Sequence, residues 1–339
     1  MKYKLGSLTR YLVLFVITLS LLWFAFRGID LNKLFSEILR AKISWVALSG
    51  IFSLVAFLVR GYRWKLLIEP LGYSPSLKNI TYSVMIGYFA NLALPRLGEV
   101  TRCGALSKTE SIPFNKLLGT VIVERLIDVL SLLICILLAA AIEYKRLGDF
   151  FYEKIFNPLA EKLKLVMQSP LLLALMILLM IVLIGFAIYF FRKSRGSASK
   201  VTRLIIGFVD GLKSIGRLKR PWAFIFQSAF IWVLYYLGVY TALFAFDFTS
   251  ALGGGTALFL LVAGGVGMSA PVQGGIGAYH LLVKEGLVLY GVSEVNGLAF
   301  AFMLHGLQMV LVIILGAVSM FLLFSARRNK EKASVSAKT

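Results

Sequence analysis

Three ionisable residues, Glu124, Arg125 and Asp128, fall inside an apolar run at 119–142. A charge at membrane depth costs about 2.5–3.5 kcal/mol on insertion scales, so such groups persist where they pair or line a polar cavity. Glu124 and Asp128 are four residues apart and project from one helical face, with Arg125 turned about 100° from Glu124, able to face a neighbouring helix. In a semi-buried cavity these carboxylates could exchange protons or hold a headgroup. The plainer use is a salt bridge joining two helices.

A second cluster occupies Pro95-Arg96-Leu97-Gly98-Glu99-Val100-Thr101-Arg102. Arg96, Glu99 and Arg102 recur every three residues and are expected to share one side of a short helix. Guanidinium groups suit bidentate phosphate binding, and a broken helix presents free N–H groups to an anion. A phospholipid or lipid-phosphate headgroup would fit, as would the ordinary cytoplasmic leaflet beside juxtamembrane arginines. Gly274-Gly275-Ile276-Gly277 could form an anion-binding nest at the start of a helix, although close helix packing explains glycine equally well. His305 and His280 are the only histidines. A histidine in a span could relay protons or simply pack through hydrogen bonds. Arg60, Arg63 and Trp64 stand where a span ends and read as interface anchors. Cys103 and Cys135 have no metal or redox spacing and read as small packed residues.

The element that must hold these side chains is a membrane bundle. The 339 residues are 59% hydrophobic and 15% charged, against about 45–50% and about 25% in soluble domains. That balance excludes a disordered chain, a secreted disulfide scaffold and a DNA-binding domain. The net charge of +20 reads as basic cytoplasmic loops beside anionic lipid rather than as a nucleic-acid footprint. Six segments approach the roughly 20 apolar residues needed to cross a bilayer: 8–26, 43–59, 117–142, 170–191, 222–246 and 298–324. Two more, 80–94 and 252–270, stop at Pro95 and Pro271. Free backbone at membrane depth is tolerated only beside protein or a wet cavity, so both are expected to be re-entrant helical hairpins; two ordinary spans followed by loops are the alternative. With both termini cytoplasmic, roughly 25 of the basic residues fall inside and roughly 10 outside, as the positive-inside rule requires. The basic start and the run 11–26 read as an uncleaved first span, and 30–42 and 200–220 as interfacial amphipathic helices. Residues 1–326 form one expected all-α domain, with 327–339 as a polar cytoplasmic tail.

The two interrupted segments echo each other. Pro95 precedes Gly98, and Pro271 precedes Gly274, by three residues; Glu124 follows Asn115, and His305 follows Asn296, by nine. Candidate repeat units 43–142 and 222–324 result. In opposite orientation, such units form transporters with a midplane site lined by broken helices.

Arg63-Trp64-x-x-Leu67, Leu94-Pro95-Arg96-Leu97-Gly98-Glu99-Val100-x-Arg102, Gly119-Thr120-Val121-x-x-Glu124-Arg125-x-x-Asp128 and Pro271-x-x-Gly274-Gly275-Ile276-Gly277 resemble the lysylphosphatidylglycerol synthase transmembrane, or flippase-like domain, family over roughly residues 8–326. In full-length members this domain is similar to a flippase for aminoacylated phosphatidylglycerol and precedes a soluble aminoacyl-transferase. No such domain is expected here, so the chain is not expected to charge lipids with lysine. Stand-alone relatives are associated with polyprenyl-linked sugars and hopanoids. The resemblance implies lipid handling by Arg96, Glu99, Arg102, Glu124, Arg125 and Asp128; Gly274, Gly275, Gly277 and His305 complete the candidate substrate site. The expected function is movement of an amphipathic phospholipid or lipid-linked headgroup between leaflets of a bacterial or archaeal inner membrane, without a cofactor. Two alternatives remain: a transferase acting on a lipid-linked sugar or phosphate with Glu124 or Asp128 as base, and a non-catalytic subunit of a lipid- or glycan-synthesis complex. No P-loop, H-E-x-x-H or G-x-S-x-G is present.

Overall fold

A computed structural model describes residues 16–151, 157, 161, 164 and 218–336. Its helices are α1 (Val16–Phe26), α2 (Leu31–Leu39), α3 (Ile43–Ile68), α4 (Leu77–Ala93), α5 (Leu97–Glu110), α6 (Phe114–Ile142), α7 (Tyr144–Phe151), α8 (Pro221–Leu243), α9 (Gly254–Ser269), α10 (Ala278–Val288) and α11 (Glu294–Ser336). No strand occurs among the described residues. The chain divides into two units, Met1–Ala139 with Ile215–Thr339, and Ala140–Ser214. The second contributes α7 and an exposed Lys164–Glu161 pair at 2.9 Å. The candidate site belongs wholly to the first.

Local signals set the helix ends. The Asp30 carboxylate accepts from the amides of Asn32 and Lys33 and starts α2; Ser76 caps α4 through Asn79 N–H at 3.2 Å. Pro221 occupies the first turn of α8, where its missing N–H costs nothing. Helix α4 ends one residue before Leu94, whose backbone is extended because Pro95 follows it.

Four helical stretches are long and apolar enough to cross a membrane: Ile43–Leu71, Phe114–Ile142, Pro221–Leu243 and Glu294–Leu323. These correspond to four of the six expected spans. Of the span at 8–26, only α1 is described; the span at 170–191 and most of the amphipathic segment at 200–220 lie outside the described residues. One boundary is corrected: the span expected to end at Val59 continues as α3 through Ile68. Helix α11 runs on into the expected tail as far as Ser336. Trp222 and Phe321 are 80% and 71% exposed, apolar surface that hydrocarbon rather than water accommodates.

Helices α3 and α8 pack antiparallel along their length. Lys42 N–H donates to Ala245 O at 2.8 Å at one end, Ser49 Oγ to Gly238 O at 2.8 Å midway, and Arg220 Nη2 to Glu69 Oε2 at 2.8 Å at the other. On one side of this pair a core gathers Trp64 and Ile68 of α3, Val84 of α4, Leu106 of α5 and Val121 of α6. A second core gathers Leu243 of α8, Leu260 of α9, Val283 of α10 and Phe300 of α11. Each core therefore surrounds one broken segment, α4–α5 or α9–α10.

Candidate functional site

Pro95 ends α4, and Arg96 adopts a left-handed backbone (φ 64°) that turns the chain back into α5. The two arms then meet backbone to backbone. A Cβ on Gly98 would collide with Gly87 O and reach 2.7 Å from Asn91 Cγ, so only glycine permits this approach. The Gly98 N–H donates to Asn91 Oδ1 at 2.7 Å, closing the hairpin. Close approach is what carries Arg102, one helical turn further along α5, to the carboxylates of α6.

Arg102 Nη2 lies 3.0 Å from Glu124 Oε2. The other Glu124 oxygen receives Arg60 Nη2 at 3.0 Å and Arg63 Nη2 at 3.2 Å. Asp128 is reached by the same two α3 residues, Arg60 Nη2 at 2.8 Å and Arg63 Nη1 at 2.7 Å. Glu124 and Arg63 are completely buried. Two aromatic rings support the guanidiniums: Arg102 stacks over Trp64 at 4.7 Å and Arg60 over Tyr88 at 5.7 Å. The Trp64 indole N–H in turn donates to Thr120 Oγ1 of α6 at 2.8 Å. Arg60 Nη1 also donates to Tyr235 OH of α8 at 2.9 Å.

Arg60 and Arg63 are thus not interface anchors. They lie well inside α3, and because acidic groups neutralise them the helix runs past them instead of stopping at Val59. Their i, i+3 spacing matches the i, i+4 spacing of Glu124 and Asp128 on α6, which was the available signal: two carboxylates in one span require cations on another. Each carboxylate is held by guanidiniums, Glu124 by those of Arg60, Arg63 and Arg102 and Asp128 by those of Arg60 and Arg63, and together they fix the arginines in place.

An outer layer sits on this core. Arg125 Nη2 pairs with Glu99 Oε1 at 2.9 Å and remains 42% exposed. Arg96 stands apart: it precedes the first residue of α5, and its side chain is exposed. The expected common face therefore holds for Glu99 and Arg102 but not for Arg96, because the left-handed turn removes it from the helical register. A cleft of about 10 Å³ opens between α4, α5 and α6, lined by Gly87, Tyr88, Asn91, Gly98, Arg102 and Arg125. That is room for about one water. The Nε–H groups of Arg102 and Arg125 are buried without a partner. With Arg60, Arg63, Arg102 and Arg125 set against Glu99, Glu124 and Asp128, the cluster carries one positive charge in excess.

The second hairpin is built from the same backbone seam with different chemistry. Gly267 of α9 packs on the Tyr279 backbone, where an added Cβ would approach to 2.7 Å of its Cα. Gly274, Gly275 and Gly277 all have positive φ, which glycine alone adopts without strain. Gly275 N–H donates to Val272 O, Ile276 N–H to Gln273 O, and Gly277 N–H to His280 Nδ1. Three of the turn's amides, those of Gly275, Ile276 and Gly277, are therefore already bonded within the turn, and the glycines permit its close packing. His305 Nε2 lies 2.9 Å from Gly274 O and its Nδ1 3.4 Å from His280 Nε2. Glu124 and His305, each nine residues after an asparagine, both reach back to grip the hairpin that precedes them. The two breaks also approach one another: a Cβ on Gly274 would meet Leu92 of α4 at 3.1 Å. Among the described residues, no group of three or more His, Cys, Asp and Glu side chains is placed to hold a metal.

Parts of the chain are similar to curated proteins. UPF0104 membrane protein MJ1595 of Methanocaldococcus jannaschii is 32% identical over 125 residues, 36% of this chain and 37% of that protein. UPF0104 membrane protein PH1989 of Pyrococcus horikoshii is 26% identical over 137 residues, 38% of this chain and 40% of that protein. Glycosyltransferase AglD of Haloferax volcanii is 27% identical over 105 residues, 31% of this chain and 17% of that protein. The matched stretches thus span less than half of each relative. The family model for the Lysylphosphatidylglycerol synthase TM region, by contrast, matches residues 11–316, and with that coverage this multi-pass membrane protein belongs to that family.

Proposed function

We propose that the protein carries an amphipathic lipid with an anionic headgroup between leaflets, taking the headgroup into the cleft between α4, α5 and α6 while the tail stays in hydrocarbon. The single observation that carries this reading is the pair of unpartnered Nε–H donors on Arg102 and Arg125, both lining one cleft in a cluster with an excess positive charge. A phosphate would supply acceptor oxygens and the missing negative charge. Glu124 and Asp128 act as positioning residues for the guanidiniums. The cleft is too small for a headgroup as it stands, so admission requires α5 to swing from α4 or α6. In this reading α4–α5 and α9–α10 are re-entrant hairpins of two inverted units, entering from opposite faces, with six full spans and both termini inside. A lipid- or glycan-synthesis enzyme would supply the cargo.

The transferase alternative needs a carboxylate free to take a proton. Both candidates, Glu124 and Asp128, are given to arginines, which favours carriage over catalysis. Similarity to a protein named as a glycosyltransferase makes lipid-linked sugars one arm of the test.

The test is reconstitution into liposomes with headgroup-labelled phosphatidylglycerol, phosphatidylcholine and polyprenyl-phosphate sugars. Faster crossing of an anionic lipid is expected, falling about tenfold to a hundredfold on loss of one charge-assisted contact in Arg102→Gln or Arg125→Gln. Crossing no faster than in empty vesicles for every lipid, with the protein folded, overturns the proposal.

A further inference from the structure

The lipid reading leaves the buried histidine pair unused. His280 and His305 are 3% and 1% exposed, and together they join both ends of the glycine turn. A backbone amide can only donate and a carbonyl can only accept, so the ends of the chain fix every proton in between. Gly277 N–H donates to His280 Nδ1 at 3.3 Å. His280 therefore carries its hydrogen on Nε2 and directs it at His305 Nδ1, 3.4 Å away. His305 then carries its hydrogen on Nε2 and donates it to Gly274 O at 2.9 Å. Both rings are neutral, and the chain of four groups has one consistent arrangement.

No extra proton can be added without breaking it. A proton on His280 Nδ1 points directly at the Gly277 N–H. A proton on His305 Nδ1 makes His280 Nε2 the acceptor, which drives the His280 hydrogen onto Nδ1 and against the same amide. Either ring, once charged, thus loses Gly277. The surroundings offer a charged imidazole little. Helix α1, whose Leu21 and Leu22 pack on Gly277, has no ionisable residue between Val16 and Phe26, and α9 has none between Gly254 and Ser269. Helix α10 brings Tyr279, stacked on His305 at 4.8 Å, and Lys284, already paired with Glu285 and with Glu294 of α11. Phe302 of α11 covers His280 at 4.1 Å. Helix α2 meets this region through Leu34 and Ile38, its Glu37 being paired with Arg40. Helix α3 meets α11 at Leu307 through Gly50, and its Arg60 and Arg63 are committed to Glu124 and Asp128. Helix α4 touches the turn with Leu92; its other ionisable groups are Lys78, Tyr82 and Tyr88, the last under Arg60.

We infer that His280 and His305 form a proton site that latches the second hairpin: the closed turn excludes the proton, and proton uptake requires release of Gly277 and movement of the Gln273–Gly277 segment. Because Gly274 rests on Leu92 of α4, one residue along from the cleft-lining Asn91, release there also removes a packing contact from the first hairpin. Protons would thereby drive or gate whatever the cleft carries. The latch itself stands on the second hairpin alone and holds whether or not the cleft binds lipid.

Hydrogen–deuterium exchange of the full chain in nanodiscs, corrected for intrinsic exchange at each pH, tests the latch without any lipid substrate. Opening of the peptide covering 273–280 is expected to rise about thirtyfold from pH 7.5 to 5.0, the gain for one imidazole that titrates normally only in the open form, while the peptide covering 43–59 stays unchanged. His305→Gln keeps a donor for Gly274 O but takes up no proton, and His280→Gln removes the second site. The double variant should therefore flatten the pH response, each single variant keeping the part carried by its remaining imidazole, and 15N spectra of the wild-type imidazoles at pH 7.5 should report Nε2–H in both rings. A wild-type turn equally protected at both pH values, or a full pH response in the His280→Gln/His305→Gln double variant, overturns the inference.

Discussion

The two hairpins share a backbone plan and differ in what holds them. In α4–α5 the arms touch at Gly87 and Gly98, and in α9–α10 at Gly267 and Tyr279; each is then gripped by a side chain from the long helix that follows. For the first hairpin that side chain is Glu124, surrounded by three arginines. For the second it is His305, bonded to a neutral ring and a carbonyl. Charge makes the first grip strong and nearly all-or-none, because releasing any one ion leaves another unpaired in a low-dielectric setting. Neutral hydrogen bonds make the second grip modest. The same architecture therefore provides an anion-seeking hairpin that is costly to open and a more easily released one.

The largest expected effect breaks this asymmetry at its centre. Glu124→Ala leaves Arg60, Arg63 and Arg102 buried with Asp128 as their remaining inner carboxylate, a loss of about 3–5 kcal/mol by the behaviour of broken buried pairs. His305→Ala removes neutral bonds and should cost about 1–3 kcal/mol. Unfolding in a graded detergent series compares the two; equal costs would mean that charge does not distinguish the hairpins.

Next comes the seam, where the hairpins should behave alike. Gly98→Ala drives a methyl into Gly87 O, and Gly267→Ala drives one into the Tyr279 backbone. Neither obstacle is a flexible side-chain tip, so each substitution should cost about 1–3 kcal/mol through forced separation. The consequences then diverge. Separation at Gly98 displaces Arg102 from Glu124 and should abolish lipid movement, whereas separation at Gly267 should loosen the 273–280 turn in exchange measurements.

How much of this was legible depended on whether a residue's partners lay close in sequence. The break at Pro95 and the paired faces of Glu124 and Asp128 are local features, and the chain announces them. So is the need for glycine near each break, whereas the bonds that the amides of Gly275, Ile276 and Gly277 make within the turn are not visible in the sequence. Arg60 and Arg63 were hidden because an arginine at the end of an apolar run looks the same whether it meets lipid headgroups or a carboxylate some 60 residues away. Arg96 was misplaced for a different reason: spacing by threes implies a common face only inside a helix, and the left-handed turn at Arg96 begins the helix one residue too late. The histidine chain could not be read at all, since it rests on backbone groups that sequence does not place.

A smaller effect tests whether the hairpins communicate through α8. Tyr235→Phe removes the acceptor for Arg60 Nη1 at 2.9 Å without disturbing any carboxylate. The expected loss is about 1.5–2 kcal/mol, the lower end of the range for a hydrogen bond to a charged group. If α8 transmits motion between the halves, lipid crossing should fall further than stability does; a parallel decline in both would reduce Tyr235 to a structural tie.

The smallest effect on stability should accompany a large effect on function. Arg125 is 42% exposed, and its Glu99 partner 22%, so solvent and headgroup screening leave their pair worth about 0–1 kcal/mol. Arg125→Gln keeps a donor for Glu99 and should unfold with the wild type to within that margin. Yet it removes the excess positive charge and one of the two unpartnered Nε–H groups at the cleft. Retention of an anionic lipid through purification, measured by mass spectrometry, should therefore drop about tenfold or more, with neutral lipids unchanged. The same measurement on His305→Gln should show no loss at neutral pH, because nothing on the second hairpin meets the headgroup in this arrangement. Anion selectivity would then reside in the charged hairpin alone, leaving the neutral one to control when it opens.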